Sequence, residues 1–188
     1  IPLTTLLCYL PYGYCVEKIN GIYKLMVEPE AAKIVRRIFE EYASGDGIQS
    51  IIDRLFEDRV HRISDYNQYH HVYCQDGENL HQWGNSSIRA VLNRNNYYGD
   101  LVQRKYESRF QRGEKWCDIL DESQWIITPN AHEPIISREL FEKAQVRLKA
   151  AQQKAAKTTA GWEDDERAFY NVFYCGDCKR KMCTRRYG

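Results

Sequence analysis

Two cysteines near the C-terminus have the spacing of a metal-binding pair. Cys175 and Cys178 are separated by two residues, and Gly176 permits a tight turn between them. Two such thiolates can bind one zinc ion, but a structural zinc site needs four ligands and usually two such pairs. A redox dithiol is the alternative, although that chemistry is typical of a strand–helix context that this sequence does not predict. Cys183 could supply a third ligand, and the pair alone is expected to hold zinc poorly.

A second group of potential metal ligands lies between residues 60 and 82. His70 and His71 are adjacent, and His61 and His81 are nearby. Adjacent side chains point apart in an extended chain, so they rarely share one ion. The stretch is also rich in Tyr, Asp and Asn and has no periodicity. We therefore interpret it as an exposed loop rather than a metal site.

The sequence does not predict hydrolytic or group-transfer chemistry. It contains no Gly-rich phosphate loop, and its order of residues indicates no nucleophile–base set. We expect no catalytic residues in this chain.

The distribution of charge is more informative than the net charge of +1. Lys and Arg outnumber Asp and Glu in residues 83–116, 143–159 and 170–188, and acidic residues dominate elsewhere. Basic stretches favour a polyanionic partner. Ordinary solvated faces would give the same pattern.

The cysteine content, the length of the apolar runs and the first residue limit the class of protein. Seven cysteines without a signal peptide favour a reduced, intracellular chain. No run approaches the roughly 20 apolar residues that a membrane span needs, so no membrane partner is expected. Because the chain begins at Ile1 without Met, we expect a piece of a longer protein.

The elements that would position these residues are mostly helices. Asn20-Gly21 predicts a tight hairpin turn, and Glu28-Pro29-Glu30 opens a helix that ends at Gly45. A second helix has Ile48, Ile51, Ile52 and Leu55 on one face. Residues 83–87 are predicted to cap a third helix, with its first residue at Ser86, an apolar face of Ile88, Val91 and Leu92, and its end at Asn95-Asn96.

The second half adds strands and a longer helix. Residues 97–106 predict one strand and residues 124–128 another. Ser137 caps a helix that carries Phe141, Ala144 and Leu148 and continues before it becomes a linker. The predicted class is α+β, a mainly helical domain with a small β-sheet and a partial zinc ribbon.

The two short helices at 47–57 and 86–95 resemble a helix-turn-helix, whose second helix enters the major groove of DNA. Its outward side chains can bond base edges or phosphates. The long connection between the helices weakens this interpretation, and two core helices are the alternative. Arg104 and Lys105 would clamp a phosphate, whereas Tyr106 beside them would suit stacking on a single strand. A solvated hairpin is the third option.

Five blocks in order resemble one family: PYGY, VEPEAAKIVRRIFEEYASGDGIQSIIDRL, W-x3-SIRAVLNRNNYYGDLVQRK, HEPIISRELFEKAQVRL and FYCGDCKRKM. They are similar to the recombinase domain and zinc ribbon of the large serine recombinases. The resemblance covers residues 9–188 apart from an insertion-like loop near 62–82. It implies a parent enzyme whose separate N-terminal domain carries a serine that attacks the DNA phosphodiester and holds the strand as a phosphoserine link.

The resemblance also implies DNA contacts and domain bounds. The Pro11–Tyr14 segment matches the end of a long interdomain helix that runs close to DNA. We expect 1–27 to hold a lead-in segment and hairpin, 28–148 the recombinase domain, 149–168 a linker, and 169–188 a truncated zinc-ribbon start. The predicted DNA-binding residues are Ser86, Ser87, Arg89, Arg94, Asn95, Arg104, Lys105, Lys149, Lys154, Lys179, Arg180 and Arg185.

The expected partner is double-stranded attachment-site DNA, bound during integration, excision or transposition of a mobile element. The parent is expected to form dimers and synaptic tetramers and to bind zinc with further ligands beyond Gly188. The catalytic domain and the coiled coil of the family are expected outside this sequence. A zinc-dependent adaptor that binds RNA or protein through the same basic strand is the alternative.

Overall fold

A computed structural model describes residues 10–19, 21–108 and 117–160. The chain divides into two compact units, Ile1–Val146 and Arg147–Gly188. In the described residues, five helices and three two-stranded antiparallel sheets confirm the predicted α+β class. None of the described helices combines the length and the apolar character that crossing a membrane requires.

The first element is the predicted hairpin. Strand β1 (Tyr14–Ile19) pairs antiparallel with strand β2 (Ile22–Val27), and Ile19 lies opposite Ile22. The register leaves a two-residue connection. Gly21 lies in this connection with a φ of 81°, the left-handed conformation that such tight turns require.

Helix α1 (Pro29–Ser44) forms the centre of the core. Pro29 suits its first turn, where an amide N–H would have no partner within the helix. The helix ends at Gly45, as the sequence predicts. One face is fully withdrawn from water, and each large apolar side chain buried there contributes about 1.5–3 kcal/mol relative to exposure. The buried residues are Ala31, Ala32, Ile34, Val35, Ile38, Phe39 and Tyr42.

Helices α2 (Ile48–Glu57) and α4 (Asn85–Leu92) pack against α1 and against each other. Both present the apolar faces that the sequence predicts. Their buried side chains are Ile48, Ile51, Ile52, Leu55, Ile88, Val91 and Leu92. The result is a three-helix core from which the opposite side of α4 faces solvent.

The exposed loop predicted for residues 60–82 is wrong. The segment contains helix α3 (Ile63–Tyr69), and Val60 pairs with Tyr73 in an antiparallel bridge. Its buried side chains are Val60, His61, Asp65, Val72 and Cys74. Two of these, His61 and Asp65, are polar, and this explains why no apolar period marked the segment as folded.

The single strand predicted for residues 97–106 is also wrong. Residues Asn95–Tyr98 form a 3-10 helix, and two short strands follow, β3 (Leu101–Gln103) and β4 (Tyr106–Ser108). Arg104 separates them with a φ of 57°, a left-handed value that interrupts an extended strand.

The two strands have different partners. Strand β3 pairs with β6 (Ile126–Thr128), which confirms the second predicted strand. Strand β4 pairs with β5 (Cys117–Ile119), which the sequence did not predict. A second 3-10 helix, Glu122–Gln124, lies between β5 and β6.

Helix α5 (Arg138–Ala160) is the last element of the described residues. The Ser137 hydroxyl accepts a 3.2 Å hydrogen bond from the amide of Leu140, so Ser137 caps the helix as predicted. The predicted apolar residues Phe141, Ala144 and Leu148 are all buried. Residues 149–160 are helical, and the remainder of the predicted linker lies outside the described residues.

The backbone at Gly13 lies close to two apolar side chains. This residue has a φ of 94°, and a Cβ added to it would lie 2.9 Å from Ile135 Cδ1 and 3.1 Å from Val35 Cγ2. The surrounding Pro11–Tyr14 segment is buried, so it belongs to the core. Its burial leaves little of this segment for contact with a partner.

We predict that Gly13→Ala lowers the free energy of unfolding by about 2–5 kcal/mol. Of this, about 1–2 kcal/mol reflects left-handed strain and about 1–3 kcal/mol reflects overpacking. Gly21→Ala is the matched control, because Gly21 has a similar φ of 81° and no atom within 4 Å of an added Cβ. Urea denaturation followed by circular dichroism measures both variants. Equal losses would contradict the crowding at Gly13.

Candidate nucleic-acid interface

Helix α4 presents a short polar face to solvent. Asn85, Ser86 and Arg89 are exposed on its first two turns, and Ser87 is half-buried. Arg89 Nε donates a 2.8 Å hydrogen bond to Asn85 Oδ1 one turn earlier. The guanidinium is therefore held along the helix, and its terminal nitrogens remain able to donate to a ligand.

The start of α4 differs from the prediction. The helix begins at Asn85 rather than Ser86, and Gly84 occupies the N-cap position without a side-chain capping bond. The N-cap thus lies within the predicted 83–87 segment, but it is a glycine and neither serine side chain caps the helix. The helix also ends at Leu92, before the predicted Asn95-Asn96 stop, because residues 95–98 turn into the tighter 3-10 helix.

Contacts at both ends fix the position of α4. The preceding Trp83 is 2% exposed, and its ring meets the Tyr12 ring edge-on at 5.6 Å between centroids. At the other end, Gln145 Nε2 from α5 donates a 2.6 Å hydrogen bond to the Leu92 carbonyl oxygen. This bond satisfies one of the carbonyl groups that a helix end leaves without an internal partner.

Two predicted DNA-binding residues come together beside α4. Lys105 Nζ donates a 3.2 Å hydrogen bond to Asn95 Oδ1 and lies 4.8 Å from the centre of the Trp125 ring. A cation over an aromatic face is attracted by the ring, so the ammonium group is positioned. Arg94 is half-buried beside them, and Arg104 is exposed.

The remaining predicted DNA-binding residues are in the second unit. Lys149 and Lys154 are exposed on α5. Three others lie outside the described residues, as do both cysteines of the predicted zinc pair. They are Lys179, Arg180, Arg185, Cys175 and Cys178.

Three side chains in the 60–82 segment form a cluster of metal-ligand type. Nε2 of His61 lies 3.1 Å from Glu78 Oε2, and Nε2 of His71 lies 2.9 Å from the same oxygen. Sequence reasoning considered both histidines but missed Glu78. The adjacent His70 takes a left-handed conformation at the end of α3 and is exposed, so it does not join His71 in the cluster.

Glu78 is the acidic member of this cluster and is ionised at neutral pH. The amide of Gln75 donates a 2.8 Å hydrogen bond to Glu78 Oε2, and the two imidazoles converge on the same atom. The Gln75 amide first, and then His71, lower the pKa of Glu78 to about 2. Hydrogen bonds to the charged form of a carboxyl group have this effect.

A separate ion-pair cluster lies around Asp65. This carboxylate is 4% exposed and accepts hydrogen bonds from Arg62 Nε at 3.1 Å and, in the protonated form of the ring nitrogen, from His81 Nδ1 at 3.0 Å. A buried carboxylate needs such partners because water is excluded from it. His81 is thus a structural partner of Asp65.

A family model described as Recombinase matches residues 29–151, about two thirds of the chain. The chain belongs to the Recombinase family. The matched range contains helices α1 to α4, the cluster of His61, His71 and Glu78, and the ion pairs around Asp65. It ends within α5, shortly after Lys149.

Two solved structures resemble this Recombinase-family chain. "Crystal Structure of a LSR-DNA Complex" matches at 20% identity and a TM-score of 0.42, covering 75% of this chain and 32% of that one. "Sequence Requirements of the Listeria innocua prophage attP site" matches at 20% identity and a TM-score of 0.47, covering 96% of this chain and 58% of that one. The chain therefore spans less than two thirds of the length of either relative.

The absence of a side-chain cap at the start of α4 leads to a prediction about stability. We expect Ser86→Ala to change the free energy of unfolding by less than about 0.5 kcal/mol, as for other surface positions. Ser137→Ala should lower it by about 0.5–2 kcal/mol, because Ser137 accepts a bond from the Leu140 amide. Thermal unfolding of both variants makes the comparison. A loss at Ser86 equal to that at Ser137 would indicate a capping role.

Proposed function

We propose that this chain is a DNA-binding part of a site-specific serine recombinase and binds double-stranded attachment-site DNA. Membership of the Recombinase family carries the proposal, because the matched residues 29–151 include α4 and its supporting core. In this proposal the whole protein integrates, excises or transposes a mobile element in a bacterial or phage-infected cytoplasm. Dimers and synaptic tetramers would bring the DNA sites together.

The exposed side of α4 supports a base-reading role. An α-helix fits the major groove of B-form DNA, where each base pair presents its own pattern of donors and acceptors. Arg89 can donate two bonds to guanine, and Asn85 or Ser86 can bond base edges or phosphate. These side chains lie on the first two turns, the part of a recognition helix that contacts bases.

The packing of α2 and α4 answers the difficulty raised by their long connection. The residues between the two helices fold into α3 and the Val60–Tyr73 bridge, and α2 and α4 still contact each other. The two helices therefore pack together in this fold despite their long connection. This arrangement supports the proposed recognition role of α4.

The basic side chains outside α4 are proposed to contact phosphates. Lys105 is held by Asn95 and the Trp125 ring, which reduces the side-chain entropy lost when it binds an anion. Arg94 and Arg104 lie close to it in sequence, and the exposed Lys149 and Lys154 of α5 are proposed to contact phosphates as well. Such contacts supply affinity and salt dependence without reading sequence.

We predict that Arg89→Ala reduces the preference for a specific duplex by about 1–3 kcal/mol, because a base contact is lost. The specific duplex would be one enriched by selection from random-sequence DNA, and the reference a random duplex of equal length. Fluorescence anisotropy with the 188-residue chain measures both affinities. Lys33→Ala, which removes an exposed charge from α1, is the control and should leave the preference unchanged. Equal losses on both duplexes for Arg89→Ala would contradict base reading.

We predict that Lys149→Ala weakens binding to both duplexes by the same factor. It should also reduce the slope of log affinity against log salt concentration by about 1. The wild-type chain should itself show a steep slope, because phosphate binding releases counterions. The same titration with single-stranded RNA tests the adaptor alternative. Tighter binding to the RNA than to either duplex, or affinity independent of salt, would contradict the proposed function.

A further inference from the structure

The cluster of His61, His71 and Glu78 has the composition of a transition-metal site. Two imidazole nitrogens and one carboxylate oxygen all lie within 4.8 Å of one another. They come from separate points of the chain, 7 and 17 residues from Glu78, and the fold brings them together. Imidazole and carboxylate groups together are typical ligands of zinc and related ions.

The distances in the cluster are close to those of a coordination shell. Zinc binds nitrogen and carboxylate oxygen at roughly 2.0–2.2 Å, so neighbouring ligand atoms of a tetrahedral site are about 3.3 Å apart. Each histidine Nε2 lies 2.9–3.1 Å from Glu78 Oε2. Binding of an ion would require both distances to increase by a few tenths of an ångström and the two histidine nitrogens, which lie within 4.8 Å of each other, to reach a similar separation.

We propose that His61, His71 and Glu78 bind a divalent transition-metal ion of the zinc class. The site is distinct from the Cys175–Cys178 pair, because it uses nitrogen and oxygen ligands in the first unit. Three protein ligands leave a fourth position for water. The proposal does not depend on the proposed DNA-binding function.

Hydrogen bonding alone gives an incomplete account of this cluster. Two imidazoles and the Gln75 amide all converge on one oxygen, Glu78 Oε2. His61 is fully buried, yet its Nδ1 has no hydrogen-bond partner among the described residues. Buried polar atoms are normally satisfied, and an ion bound at Nε2 would leave Nδ1 as the N–H donor of this ring.

The surrounding structure holds the ligands in place while leaving access to them. The His61 amide donates a 2.8 Å hydrogen bond to the Val72 carbonyl, and its ring stacks on Tyr69 with centroids 5.0 Å apart. The His71 side chain is 29% exposed, and an ion can approach from that side. Preorganised ligands lose little entropy when they bind an ion.

Metal binding would stabilise the segment that connects α2 to α4. The cluster links the Val60–Tyr73 bridge to residue 78, six residues before the Gly84 cap of α4. An ion that binds only the folded state raises the temperature of unfolding. We therefore expect the metal to stabilise this connection.

The test uses the full chain with Cys175→Ser and Cys178→Ser, which removes the predicted thiolate pair. After dialysis against zinc and then metal-free buffer, we expect about one zinc per chain by elemental analysis, and a higher melting temperature when zinc is present. Cobalt substitution should give a visible spectrum without thiolate-to-cobalt charge transfer, because the ligands are nitrogen and oxygen. Absence of bound zinc and of a melting shift would overturn the proposal.

Matched variants assign the site. His71→Asn and Glu78→Gln, each in the double-serine background, should lose the bound zinc and the melting shift. His70→Asn is the control, because His70 is exposed and left-handed, a conformation that Asn tolerates, and it lies outside the cluster. The His70→Asn variant should retain both the bound zinc and the melting shift. A zinc-dependent shift that survives His71→Asn and Glu78→Gln would show that other ligands bind the metal and would overturn the assignment.

Discussion

The buried face of α1 is the constraint on which the first unit depends. Ile38 and Phe39 at its centre are inaccessible to solvent, and α2 and α4 both pack against this helix. The Gly13 turn approaches Val35 of this helix, and the centre of the Tyr97 ring lies 5.9 Å from that of Phe39. Because α4 buries its own apolar side here, only its polar side remains available to a partner.

The sequence predicted the elements whose burial is apolar and periodic. Helices α1 and α2 have an apolar residue on the same face every three or four positions, and that pattern requires no knowledge of the partner. Helix α3 lacks this periodicity. Its buried contacts are those of the Asp65 carboxylate with Arg62 and the edge-on contact between the Tyr66 and Tyr12 rings. Polar burial depends on partners distant in sequence, and a periodicity cannot show them.

Part of the candidate interface could likewise be predicted from the sequence. The exposed position of Arg89 follows from the apolar face of Ile88, Val91 and Leu92, so the sequence sufficed for it. Lys105 follows a left-handed backbone at Arg104, a residue type that rarely adopts this conformation, so its contact with Asn95 was not predictable from the sequence. The start of α4 was misjudged because serine is a common N-cap, whereas Gly84 fills that position here.

The backbone pairing around Val60 and Tyr73 has an evolutionary consequence. The His61 amide donates a 2.8 Å hydrogen bond to the Val72 carbonyl, and the Cys74 amide donates one of 2.8 Å to the Arg59 carbonyl. The chain before α3 and the chain after it are therefore held together. Doubling the length of a closed loop adds only about 0.6 kcal/mol of closure entropy. Relatives could therefore gain or lose residues between these two points and keep α2 and α4 in the same place. Alignments of such chains would show length variation confined between two fixed anchors.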